Sequence, residues 1–140
     1  MGKKYKEGFT LIELLVVIVI IALLAVVVFV ALDPATRFAD ARNSRRWKDV
    51  NNLLTAIHEC IVDNAGSYTA CGLTDNNSYS LGTGDLDLST ELLPYLKVMP
   101  MDPLNGTVAV TGYSIQVDTN NIVTITSDNP ENGMTVSLSR

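Results

Sequence analysis

The chain has 140 residues, with 10 Lys and Arg against 15 Asp and Glu and a formal net charge of −5. That length accommodates one compact domain plus one dedicated segment, and so acidic a balance argues against a nucleic-acid groove, which needs clustered cations facing phosphates. One histidine, His58, and two cysteines, Cys60 and Cys71, leave no second histidine for a triad and fall short of the four ligands of a structural zinc site.

Residues 1–8 form a short basic stretch, with Lys3, Lys4 and Lys6 against Glu7, that ends in Gly8. Residues 9–32 are apolar except for Thr10 and Glu13, and from Leu14 to Leu32 the run is unbroken. As a helix this segment reaches about 36 Å, enough to cross a hydrocarbon core of about 30 Å with some tilt. A cleavable secretory signal would have an apolar core of roughly 7–15 residues followed closely by a small-x-small site. Here the nearest such pattern, Ala39-Asp40-Ala41, lies well beyond the span, so a membrane span is expected.

Asp33-Pro34 follows, and proline ends or kinks a helix because it lacks a donor and restricts the residue before it. Apolar periodicity then resumes: Trp47, Val50, Leu54, Ile57 and Ile61, with Leu53 and Cys60 beside them, make one stripe of an amphipathic helix. This predicts one long helix to about Val62, kinked near Pro34, with Asn64 and Gly66 as its stop. Residues 67–84 are polar and glycine-bearing, a loop with room for a short strand. Ser89 is placed to cap a short helix with Leu92, Leu93 and Leu96 inward, closed by Met99-Pro100. Asp102-Pro103 and Asn105-Gly106 read as turns. Strand patterns follow at Val108–Val110, Tyr113-Ile115-Val117, Ile122-Thr124-Thr126 and Val136–Leu138, with Asn120-Asn121 at hairpin spacing between the second and third.

The expected fold is therefore α+β: a long N-terminal helix, membrane-spanning in its first half, packed on a small C-terminal antiparallel sheet. Residues 1–8 would be a leader, 9–32 the span, 33–62 an amphipathic helix continuing into the globular domain, and 63–140 loop and sheet. Residues 63–140 alone would bury too little surface for independent stability, so the sheet needs the stripe on the second helix.

A carboxylate within a lipid-facing helix is costly and rarely without purpose, which makes Glu13 the most informative residue of the span. The string Gly8-Phe9-Thr10-Leu11-Ile12-Glu13-Leu14-Leu15, after a basic leader and before an unbroken apolar run, resembles the processing site of the type IV pilin and pseudopilin superfamily. The resemblance covers residues 1–32 closely and the kinked helix in architecture, while the first helix-breaking proline often lies nearer the cleavage site in that family than Pro34 does here.

It implies cleavage after Gly8 by a prepilin peptidase and N-methylation of the new terminus at Phe9. Glu13 would pair with the ammonium so created, in its own or an adjacent subunit, and set the register of assembly. It also implies a non-enzymatic filament subunit with no cofactor. Its partners would be identical copies, minor pilins, the peptidase, an inner-membrane assembly platform with its ATPase, and membrane lipid before assembly. Charge by itself leaves topology open, because the leader lysines compete with Arg37, Arg42, Arg45, Arg46 and Lys48 beyond the span. The resemblance implies the leader inside, residues 33–140 outside, and a final place in a cell-surface filament. A pseudopilin of a secretion or DNA-uptake system is the alternative within the class. An anchored extracytoplasmic binding domain that never polymerises is the alternative outside it.

If residues 33–140 are extracytoplasmic, a Cys60–Cys71 disulfide is favoured over two free thiols. The basic cluster from Arg37 to Lys48, diluted by Asp33, Asp40 and Asp49, reads first as a solvated helix face, then as a source of salt bridges between subunits, and last as a DNA contact. Asp128 and Glu131, with Asn129 and Asn132, offer oxygen atoms for calcium, but their spacing matches no ligand pattern and an ordinary acidic turn is expected. Asp102 has the same status. His58, Glu59 and Asp63 lack a nucleophile or second histidine beside them, and no catalytic site is expected.

Overall fold

A computed structural model describes residues 8–74 and 76–140. The leader lysines Lys3, Lys4 and Lys6, with Glu7, lie outside the described residues. Two helices, α1 (Leu11–Leu32) and α2 (Pro34–Asp63), precede a 3-10 turn at Thr69–Cys71 and four strands, β1 (Asn77–Ser80), β2 (Tyr113–Val117), β3 (Val123–Ser127) and β4 (Ser137–Ser139). This is the expected α+β class. Contacts divide the chain into two compact units that meet at Arg37 and Phe38.

The helical path is interrupted only at Asp33, where the kink near Pro34 is expected. Asp33 takes left-handed backbone angles (φ 37°, ψ 71°), and Pro34 opens α2 at the position where its missing N–H costs nothing. Asp33 then serves the new helix as its cap: its carboxylate accepts from the Thr36 hydroxyl at 2.6 Å and from the Thr36 N–H at 3.5 Å. At the far end the Gly66 N–H returns to the Ile61 carbonyl at 2.8 Å, with Gly66 at φ 87°. A left-handed glycine closing a helix in this way satisfies a carbonyl that would otherwise lack a partner.

In the second unit α2 lays Val50, Leu53, Ile57 and Cys60 against the inner face of the sheet. The strands run in the order β1-β2-β3-β4, all antiparallel. One cross-strand row, Tyr79-Ile115-Ile125-Leu138, shows the side chains that meet the helix. Two expectations shift here. On β3 the buried residues are Val123, Ile125 and Ser127, so Ile122, Thr124 and Thr126 face away, and alternation alone does not say which parity faces the core. On α2 Trp47 stays 38% exposed while Arg46 is fully buried, for a reason given below.

Two predicted elements are absent. The Ser89 segment forms turns rather than a helix. Pro94 removes the N–H that would continue it, Asp87 rather than Ser89 supplies the local cap by accepting from the Ser89 N–H at 2.9 Å, and Leu93 is exposed. Val108–Val110 makes no strand, and both valines are exposed. After Gly106 the chain turns on itself, the Thr107 N–H meeting the Val110 carbonyl at 2.8 Å. The Val108 and Ala109 carbonyls accept instead from the N–H groups of Thr83 and Gly84. Gly82 permits that approach, since a Cβ there would lie 2.5 Å from the Ala109 oxygen.

Cys60, in the last turn of α2, is bonded to Cys71 in the 3-10 turn, and both are buried. The bond ties the end of the helix to the start of the loop. Closing a loop of this length stabilises by about 2–3 kcal/mol in the chain-entropy model. Cys60→Ala with Cys71→Ala should lower the unfolding free energy of the detergent-solubilised chain by about that amount. Reducing agent should reproduce the shift in the wild type and leave the double variant unchanged.

Candidate functional site

The N-terminal unit is a single chemical statement. Every residue of α1 is exposed and none is buried, although the helix holds no polar side chain other than Glu13. It is the one helix among the described residues long and apolar enough to cross a membrane. A helix that is apolar on all sides requires lipid or other helices around it.

Gly8 and Phe9 precede α1 as exposed, non-helical backbone. A Cβ at Gly8 would meet nothing within 4 Å among the described residues. Thr10 caps the helix. Its hydroxyl oxygen accepts from the Glu13 N–H at 3.3 Å, and the Glu13 carboxylate accepts in return from the Thr10 N–H at 2.9 Å and the Thr10 hydroxyl at 2.6 Å. This reciprocal arrangement satisfies donors at the helix start, where the positive end of the backbone dipole also favours an anion. The spacing Thr10-x-x-Glu13 carries that signal in the sequence, and Thr10 is the residue a reading centred on Glu13 passes over. Glu13 is thereby held beside the Thr10 backbone.

In the second unit the charged groups fall differently from expectation. The Arg46 side chain is fully buried, as is that of Asp102. The guanidinium forks onto Asp102, with Nε to Oδ2 at 2.6 Å and Nη2 to Oδ1 at 3.1 Å, and Nη1 reaches Glu131 at 2.7 Å and Asn43 at 2.9 Å. Arg42 donates to the same Glu131 carboxylate through Nε and Nη2, at 2.7 and 2.5 Å. Asn43 holds the Glu131 backbone at both ends, accepting from its N–H at 3.0 Å and donating to its carbonyl at 2.9 Å. Asp102 in turn accepts from the N–H groups of Leu104 and Asn105. Two loops far apart in sequence are thus fastened to one turn of α2.

The basic cluster is therefore not a solvated face throughout. Arg46 and Arg42 are structural, which leaves Arg37, Arg45 and Lys48 exposed. Glu131 is no free acidic turn either: both its carboxylate oxygens are engaged by the two arginines. Asp128 accepts from the Ser114 hydroxyl at 2.7 Å. No group of three or more metal-ligating side chains occurs among the described residues.

Hydrogen bonds from Arg42 and then Arg46, acting against burial, pull the Glu131 carboxyl from its ordinary 4.5 to about 2. Burial would raise Asp102, but the Arg46, Leu104 and Asn105 donors outweigh it and hold the group below its ordinary 3.8. A carboxyl depressed in the folded state adds stability above its unfolded value and loses it as pH falls toward the folded value. The second unit should accordingly lose stability steadily from about pH 4.5 down to about pH 2. Denaturant unfolding at a series of pH values checks this, and Glu131→Gln should flatten the profile.

No curated protein and no solved structure matches the chain. Residues 3–29 match the family model of the prokaryotic N-terminal methylation motif. The exposed Gly8 and Phe9, the capped Glu13 and the exposed apolar helix all fall inside or beside that match. The N-terminal segment of this chain therefore carries the prepilin motif of type IV pilin-type precursors.

Proposed function

We propose that the chain is the precursor of a structural filament subunit. It is cleaved after Gly8, methylated at Phe9, and assembled with identical copies through its N-terminal helix. The observation that carries this reading is α1 itself: a helix apolar on every side, with one carboxylate held at its first turn beside the processing motif. In the membrane the helix is solvated by lipid. In a filament, neighbouring helices replace the lipid, and the ammonium left at Phe9 by cleavage supplies the counter-charge to Glu13. Two groups costly to bury singly become tolerable together, and the pairing fixes axial register. The prepilin peptidase, minor subunits and an inner-membrane assembly platform with its ATPase are the partners this mechanism needs, with residues 33–140 outside the membrane.

The test is the intact mass of the exported protein from the native host or one supplying a prepilin peptidase. The expected species begins at Phe9 and carries one added methyl group. An exported protein that retains Met1 through Gly8 would overturn the reading.

A further inference from the structure

Beyond the span and its carboxylate, α2 presents a second unpartnered face. Arg45, Lys48, Asn52, Thr55, Glu59 and Asp63 follow one another at intervals of three and four residues, so they share one side of the helix. That side borders two hollows in succession, one walled by Leu96 and Val98 to Met101 at its N-terminal half and one by Tyr95 and Arg140 at its C-terminal half. Charge changes sign along it. The N-terminal half holds Arg45, whose side chain is 64% exposed, and Lys48, with exposed Lys97 next to its wall. Asp49, at 3.8 Å from Arg45 and accepting from the Tyr113 hydroxyl, is the acid on that half. The C-terminal half holds Glu59 and Asp63, with Arg140 as its cation and the Tyr95 hydroxyl donating to Asp63 at 2.8 Å. Exposed apolar side chains punctuate both halves, Val62 in one and Val98 in the other.

Resting on the filament reading, we infer that this face is a contact between successive copies of the chain: the cationic half of one subunit receives the acidic half of the next. Charge complementarity identifies the occupant. From Lys48 to Glu59 the rigid helix rises about 16 Å, so the two halves cannot meet within one chain, and the cationic excess left beside Asp49 and the acidic excess left beside Arg140 complement each other between chains. Two copies in the same orientation bring opposite halves together only when one is displaced along α2 by about the separation of the halves. The contact is then head-to-tail and does not close on itself. Val62 and Val98 give it apolar area, and the charges set direction and register.

The test is a charge swap in the full-length chain, expressed with a prepilin peptidase and an assembly system. Lys48→Glu and Glu59→Lys should each cut filament yield about tenfold or more, because like charges then face one another. The double variant should recover most of the yield. Disulfide formation and thermal unfolding of each variant report that the exposed substitutions leave the second unit folded. Single variants that assemble like wild type, or a double variant as defective as the singles, would overturn the contact while leaving the filament reading intact. A discrete dimer of the full chain in detergent, lost on Lys48→Glu, would show an antiparallel closed pairing and also overturn it. If the wild type yields processed protein but no filaments, the filament reading fails and this contact fails with it.

Discussion

Arg46→Met should destabilise the second unit by about 3–5 kcal/mol, the usual cost of removing one partner from a buried ion pair. Domains of this size are stable by only about 5–15 kcal/mol, so the variant would be marginal. The reason lies in what is left behind. Asp102, buried with its side chain fully enclosed, would lose the guanidinium that now takes both of its oxygens, and would have to stay charged or take up a proton at a cost either way, while Glu131 would lose one of its two arginines. Methionine fills much of the space, so the loss would be electrostatic rather than a cavity. Pairing the change with Asp102→Asn should recover a large part of it. Asparagine removes the stranded carboxyl yet keeps an oxygen for the N–H groups of Leu104 and Asn105. Denaturant unfolding of the four-member cycle measures the coupling, and a double variant no more stable than Arg46→Met alone would contradict this account. Arg46→Lys should fall between, since an ammonium cannot reproduce the fork.

Glu13→Ala should leave membrane insertion intact and reduce filament yield at least tenfold. The harder question is which of two roles the carboxylate plays. As the third residue of the helix it closes a capping box with Thr10, and as an anion it is the complement of the ammonium proposed at Phe9. Glutamine separates them, because Glu and Gln both serve in capping boxes but only Glu carries charge. Glu13→Gln should therefore hold the helix start and still fail to assemble. Normal filaments from Glu13→Gln would reduce the residue to a cap, and normal filaments from Glu13→Ala would remove it from assembly altogether. Electron microscopy of sheared filaments, alongside immunoblots of membrane fractions, distinguishes these outcomes.

The α1 segment was legible in the sequence because an apolar solvent, which its exposed surface demands, acts on composition alone. No distant residue is needed to explain why Leu14 to Leu32 are apolar, or why Thr10 and Glu13 stand where donors lack partners. The same holds for the break at Asp33-Pro34 and the stop at Gly66, which follow from backbone stereochemistry. The alternation of Tyr113, Ile115 and Val117 similarly declared a strand with one wet face. Around Pro94 the chemistry was also local, and there the proline outweighs the leucine spacing that suggests a helix.

Only the tertiary structure decided the parity of β3 and the fate of the charges. Val123 and Ile122 are equally suited to burial, and the register against Val117 chooses between them. Arg46 and Trp47 occupy neighbouring positions on α2, and composition favours burying the tryptophan. Arginine goes inside because Asp102 and Glu131 arrive there from loops 56 and 85 residues away in sequence, a coincidence that no periodicity records. The N-terminal methylation motif is thus written in a contiguous string, while the fold of the second unit is fastened by groups that meet only in space.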